Sequence, residues 1–150
     1  MSALFAFLHH AAAFGFVAAL AVELALLREP PDARLVQRLV RADIAAGVLA
    51  GILLAVGVAR VLYFEKGPAY YAHSAPFIAK MTLFGVVALL SIYPTLTFIR
   101  WRRALKRGEV PAIAPQTLRR LRMILHAELT GVILIALAAA MMARGIGFFG

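Results

Sequence analysis

Cysteine is absent from the 150 residues, and its absence removes three kinds of chemistry. There can be no disulfide, no thiolate metal site and no C-x-x-C-H attachment of a c-type heme, so any heme would be held non-covalently. Charge is also scarce, at 15% of residues against 63% apolar, whereas apolar residues make up about half of a soluble domain. Acidic side chains are fewest, 7 against 16 Lys and Arg. Connections are too short to hold a soluble domain beside the apolar runs.

Those runs number four, at 3–27, 44–64, 76–99 and 118–143, each near the roughly 20 residues that a spanning helix needs. The expected fold is therefore all-α, a single four-transmembrane-helix bundle over residues 1–150. The first run has no basic residues ahead of it and no small-residue cleavage site, so it reads as a permanent helix rather than a signal peptide.

The net charge of +9 comes chiefly from two loops bordering the apolar runs. Arg28, Arg34, Arg38 and Arg41 occupy the first connection. Arg100, Arg102, Arg103, Lys106, Arg107, Arg119, Arg120 and Arg122 occupy the third. By the positive-inside rule this places both termini and the middle loop "EKGPAYYAHSAPF" on the periplasmic side of a bacterial inner membrane. Basic clusters beside a bilayer attract anionic headgroups, so the expected partner is lipid and not nucleic acid.

Pro30 and Pro31 close the first helix, and the amphipathic stretch "DARLVQRLVRAD" leads into the second. Gly67 and Pro68 are expected to stop that helix. Tyr70 and Tyr71 suit the interface, and Pro76 opens the third helix where a missing N–H costs nothing. Pro94, within "SIYPTLT", removes one ladder bond and kinks the third helix, while the neighbouring hydroxyls satisfy what it releases. The fourth helix is expected to start near Pro115. Gly47 and Gly51 form a G-x-x-x-G pair suited to packing within the bundle, to a homodimer contact or to close approach of a planar cofactor.

Ionisable residues inside spans are costly and usually face inward, so they locate function. A rise of about 1.5 Å per residue sorts them into two levels. The outer level holds His9, His10, Arg60 and Lys80, with Tyr63, His73, Met81, Met141, Met142 and Arg144 close by, and no carboxylate within the spans. The inner level holds Glu23, Asp43, His126 and Glu128 beside the loop arginines. There, Glu23 and Asp43 are expected to pair with Arg41, Arg122 or His126 and to fix helix ends. His10 and His126 cannot share one iron, because more than ten residues of axial rise, roughly 15 Å, separate them.

His9, Ala13, Phe16, Leu20, Glu23 and Leu27 form one helical stripe, and His10 is turned about 100° from it. Because Glu23 should avoid lipid, His9 is the first choice for the interior, with His10 left to a neighbouring helix or a partner chain. Taken singly, each outer residue is equally well read as solvated or snorkelling. Taken together they suit heme b: imidazole for iron, Arg60 and Lys80 for propionates, and Phe14, Phe16, Phe84, Ala12, Ala13, Gly51 and Gly57 against the ring. A second axial ligand would come from His73, Lys80, Met81, Met141, Met142, the other histidine or a second protomer, or would be absent. The midplane offers chiefly Ala, Leu, Val and Gly, which favours a site over a channel.

The segments "FLHH", "RVLYFEKGPAYY", "PFIAKM", "LLSIYPT" and "FIRWRRALKRG" resemble a bacterial family of small four-helix membrane proteins of unknown function. That family is in turn distantly similar to the group of CopD copper-resistance proteins and HemJ-type protoporphyrinogen oxidases. The resemblance implies heme b associated with a first-helix histidine and a later lysine, here His9 or His10 and Lys80. The chain departs from the HemJ type in having four spans and one tryptophan, Trp101, placed in the cytoplasmic loop. Three functions stand as expectations: heme binding for electron transfer, heme-dependent oxidation or heme handling with an unidentified redox partner; copper or small-cation transport through Met81, Met141 and Met142; and a cofactor-free scaffold. A homodimer is the preferred assembly.

Overall fold

Helix is the form these apolar runs must take, since in hydrocarbon every backbone N–H and C=O needs an internal partner. The computed structural model describes residues 2–64, 68–109, 111, 113–147 and 149. Among them run α1 (Ser2–Leu26), α2 (Ala33–Ala59), the short α3 (Pro68–Ala72), α4 (Ala75–Lys106) and α5 (Pro115–Ala143). A π-helical turn at Arg60–Phe64 continues α2. Of Gly67 and Pro68, expected to stop the second helix, Gly67 lies with Glu65 and Lys66 outside the described residues, and Pro68 opens α3.

Four of these helices are long and apolar enough to cross a membrane. The chain is an all-α, multi-pass membrane protein. Helices α1 and α2 pack as one antiparallel hairpin and α4 and α5 as another, with α2 against α4 and α1 against α5 closing the square. One end of the bundle carries both arginine-bearing connections, and the other carries the chain termini.

The helices outlast the bilayer at the arginine-rich end. At about 1.5 Å per residue the 32 residues of α4 span about 48 Å, against a hydrocarbon core of about 30 Å. The amphipathic lead-in is the first part of α2 itself, capped by Asp32, whose carboxylate accepts the Leu35 N–H at 2.6 Å. There Leu35, Val36, Leu39 and Val40 are buried while Arg34, Arg38 and Arg41 are exposed. Leu121 and Leu125 of α5 are likewise buried, with Arg119, Arg120 and Arg122 outside.

Consequently the dense core lies at this end, where Leu27, Leu39, Phe98, Leu121 and Leu125 are fully enclosed and Trp101 stacks obliquely on Phe98 at 5.8 Å. The cause is solvent. Water drives apolar side chains together outside the bilayer, whereas inside it lipid tails are as apolar as leucine, and helices associate through small residues. Gly131 shows this: a Cβ there would fall 2.6 Å from Val87 Cγ2, so α4 and α5 approach closely only because the position is glycine.

At the termini end the chain folds back on itself. Ala75 N donates to Gly147 O and Phe149 N donates to His73 O, each at 3.0 Å, clasping the segment after α5 to the start of α4. Gly147 makes the turn with φ of +78°, and a Cβ on it would crowd Pro76 Cδ at 2.9 Å.

Candidate functional site

The half of the bundle nearer the termini is hollow. A cavity of about 540 Å³ lies among α1, α2, α4 and α5. His9 and His10 reach it from α1, Gly57 from α2, Val61 and Leu62 from the π-helical turn, and Lys80 and Met81 from α4. Phe16, Phe77 and Phe84 supply aromatic walls, and α5 supplies a run of small residues, Ala136, Ala139, Ala140 and Ala143.

The expected outer group is thus brought together in part. His9, His10, Lys80 and Met81 line one space, as do the expected ring contacts Ala13, Phe16, Gly57 and Phe84. Arg60, half-buried, precedes the lining residues Val61 and Leu62 but does not line the cavity itself. Tyr63 and Met141 are exposed and Met142 half-buried, all outside the lining. His73 is held in the clasp, its ring 6.0 Å from that of Phe149. Phe14 is exposed, and Gly51 has nothing within 4 Å of where a Cβ would sit. The same holds for Gly47, so the glycine pair does not serve packing within the bundle.

The two histidines differ in setting. His9 is half-buried on the inward stripe, where its Cε1 faces Gly57: a Cβ at that glycine would lie 3.5 Å from it. His10 is exposed, its ring nearly perpendicular to that of His9 with centroids 6.2 Å apart. His10 Nδ1 sits 2.6 Å from Ala6 O. A carbonyl can only accept, so Nδ1 carries the proton and Nε2 keeps the lone pair that a metal takes, the backbone support common to ligating histidines. No three His, Asp or Glu side chains among the described residues form a group that could hold a metal ion. A site here would therefore rest on one or two imidazoles together with Lys80 or Met81 of the same lining.

A second, smaller cavity of about 210 Å³ occupies the half toward the arginine-rich end. Three carboxylates line it: Glu23 of α1, Asp43 of α2 and Glu128 of α5, with Ser91 and Thr95 of α4. Glu23 and Glu128 are only 2% and 1% exposed. Thr95 Oγ1 donates to Asp43 Oδ1 at 2.6 Å, while Ser91 Oγ donates to Val87 O at 3.0 Å. Phe16 and Phe84 line both cavities and form the partition between them.

Here the expected ion pairs are overturned. Neither Glu23 nor Asp43 pairs with Arg41, Arg122 or His126; those three are exposed on the outer faces of their helices. His126 instead turns its Nδ1 to Arg122 O at 2.7 Å. The reason is rotational. The same helical stripe that buries Leu20, Glu23 and Leu27 turns Glu23 away from solvent, while arginines along the amphipathic starts of α2 and α5 follow the opposite face. The signal for this cluster lay in the depth assignment, which put Glu23, Asp43 and Glu128 at one level.

No curated protein and no solved structure matches the chain. A family model described as "Predicted membrane protein (DUF2214)" matches residues 1–147, nearly the whole length. The chain belongs to that family.

Proposed function

We propose that this protein binds heme b between its helices at the termini end, with His10 or His9 as axial ligand. The observation that carries the reading is the convergence of His9, His10, Lys80 and Met81 on one apolar cavity of about 540 Å³. That volume falls in the range of about 300–1,000 Å³ typical of cofactor and small-molecule sites. Aromatic and alanine walls suit the faces of a planar macrocycle. The Nδ1–Ala6 bond fixes the tautomer that leaves Nε2 of His10 for coordination.

Lys80 would serve as propionate partner or second ligand, with Met81 the alternative ligand and Arg60, on the π-helical turn beside the cavity, the other propionate partner. A bound heme would supply one-electron chemistry, which fits electron transfer, heme-dependent oxidation or heme handling. A distant relation of the family to the CopD and HemJ-type group would fit the same reading. Arginine placement supports an orientation with both termini periplasmic in a bacterial inner membrane. Gly51, exposed on α2 with nothing within 4 Å of where a Cβ would sit, supports a homodimer.

Protein purified in mild detergent from heme-replete cells is expected to show a Soret band, diminished in His10→Ala or His9→Ala while helicity is kept. Absence of a Soret band both as purified and after adding hemin overturns the proposal. Copper without porphyrin, lost on replacing Met141 and Met142, would replace it with cation transport. Colourless, metal-free protein indifferent to both histidine variants would leave a scaffold.

A further inference from the structure

The smaller cavity presents a problem that the heme reading does not touch. Glu23 Oε1 and Glu128 Oε1 are buried and accept no hydrogen bond from any described residue, and both side chains line the same space. An ionised carboxylate in such a place is unfavourable by several kcal/mol in order of magnitude unless paired and hydrogen-bonded. Two facing one chamber add mutual repulsion. Something must neutralise them.

The groups facing the chamber are known from each helix packed against it. α1 contributes Glu23, α2 contributes Asp43, α5 contributes Glu128, and α4 contributes only the Ser91 and Thr95 hydroxyls as polar groups. No Lys, Arg or His is among the described lining residues. Bare-metal coordination is disfavoured, since the carboxylates do not form a metal-holding group. Asp43 is already served by Thr95, which leaves the two glutamates as the sites of neutralisation.

We propose that Glu23 and Glu128 form a proton-binding pair inside the membrane bundle, in the chamber they share with Asp43 and Thr95. A carboxyl group that takes a proton turns one oxygen into a donor, and the chamber then offers it the other carboxylate, Ser91 or water as acceptor. Only a proton is bound and released, so no bond between heavy atoms is made or broken. The site lies apart from the histidine cavity, beyond Phe16 and Phe84, and does not depend on what fills that cavity.

Infrared spectroscopy of the intact protein in detergent or lipid tests this directly. At neutral pH a protonated-carboxyl C=O band is expected, downshifted in D₂O, moved by ¹³C-labelled glutamate and not by ¹³C-labelled aspartate. Glu23→Gln or Glu128→Gln should remove or shift it while circular dichroism stays helical. The isotope arm needs no variant and so survives a folding defect. The proposal is overturned if no such band exists at neutral pH, if the band follows aspartate, or if sodium or ammonium abolishes it at fixed pH, which would make the chamber a cation site.

Discussion

Thr95 Oγ1 donates to Asp43 Oδ1 across 2.6 Å, joining α4 to α2 through residues 52 apart in the chain. It is a direct side-chain link between the two hairpins, placed one residue after Pro94, the proline inside α4. Removing the donor leaves a half-buried carboxylate without that partner. Thr95→Val is therefore expected to lower stability by about 1–3 kcal/mol, and Thr95→Ser, which keeps the hydroxyl, by much less. Thermal melts in one detergent would decide; equal melting of the two variants would show that the bond contributes nothing.

Close approach of α4 and α5 hangs on Gly131, where a Cβ would sit 2.6 Å from Val87 Cγ2. Gly131→Ala should destabilise by about 1–3 kcal/mol through overpacking, although alanine is the better helix former. Val87→Ala in the same chain should recover a large part of that loss. A double-mutant cycle reads the coupling directly, and additive effects would place the helices farther apart than described.

The bundle itself was legible because spanning helices announce themselves by length, and Pro115 and the amphipathic starts marked where they extend. Depth was legible too: rise per residue alone separated His10 from His126 and set His9, His10, Lys80 and Met81 at one level. Rotation was less so. The stripe through His9 and Glu23 correctly turned Glu23 inward, yet nothing in that pattern said which face of the other helices Arg41 or Arg122 would take. Salt bridges assigned by depth therefore failed. Arg60 and His73 show the other gap, since a π-helical turn and a backbone clasp at the C-terminal end reposition side chains in ways that a uniform helical period does not contain.

Two leucines of α5 separate the effects of water and lipid on packing. Leu125 is fully buried at the arginine-rich end, whereas Leu137 is 57% exposed on the apolar surface. Leu125→Ala should cost about 2–5 kcal/mol, because it opens a cavity in the dense core. Leu137→Ala should cost within about 0.5 kcal/mol, since that side chain meets acyl chains rather than a packed neighbour. Denaturation followed by far-ultraviolet circular dichroism compares them. Similar losses would mean that Leu137 is covered, as a homodimer through that face would require.

Gly57 offers a test of the histidine cavity that leaves every proposed ligand in place. Its missing side chain opens space beside His9 Cε1, and a Cβ there would make only an ordinary contact at 3.5 Å. Gly57→Ala should be tolerated, and could stabilise α2 by up to about 1 kcal/mol through helix propensity. Gly57→Leu extends into the cavity from the α2 wall, so apo-protein stability should hold while heme occupancy falls several-fold. The readout is Soret absorbance per protein alongside the melting temperature of the heme-free form. A leucine variant that takes up heme as fully as the parent would mean that the macrocycle does not lie against α2, and the ligand assignment to His9 would fall with it.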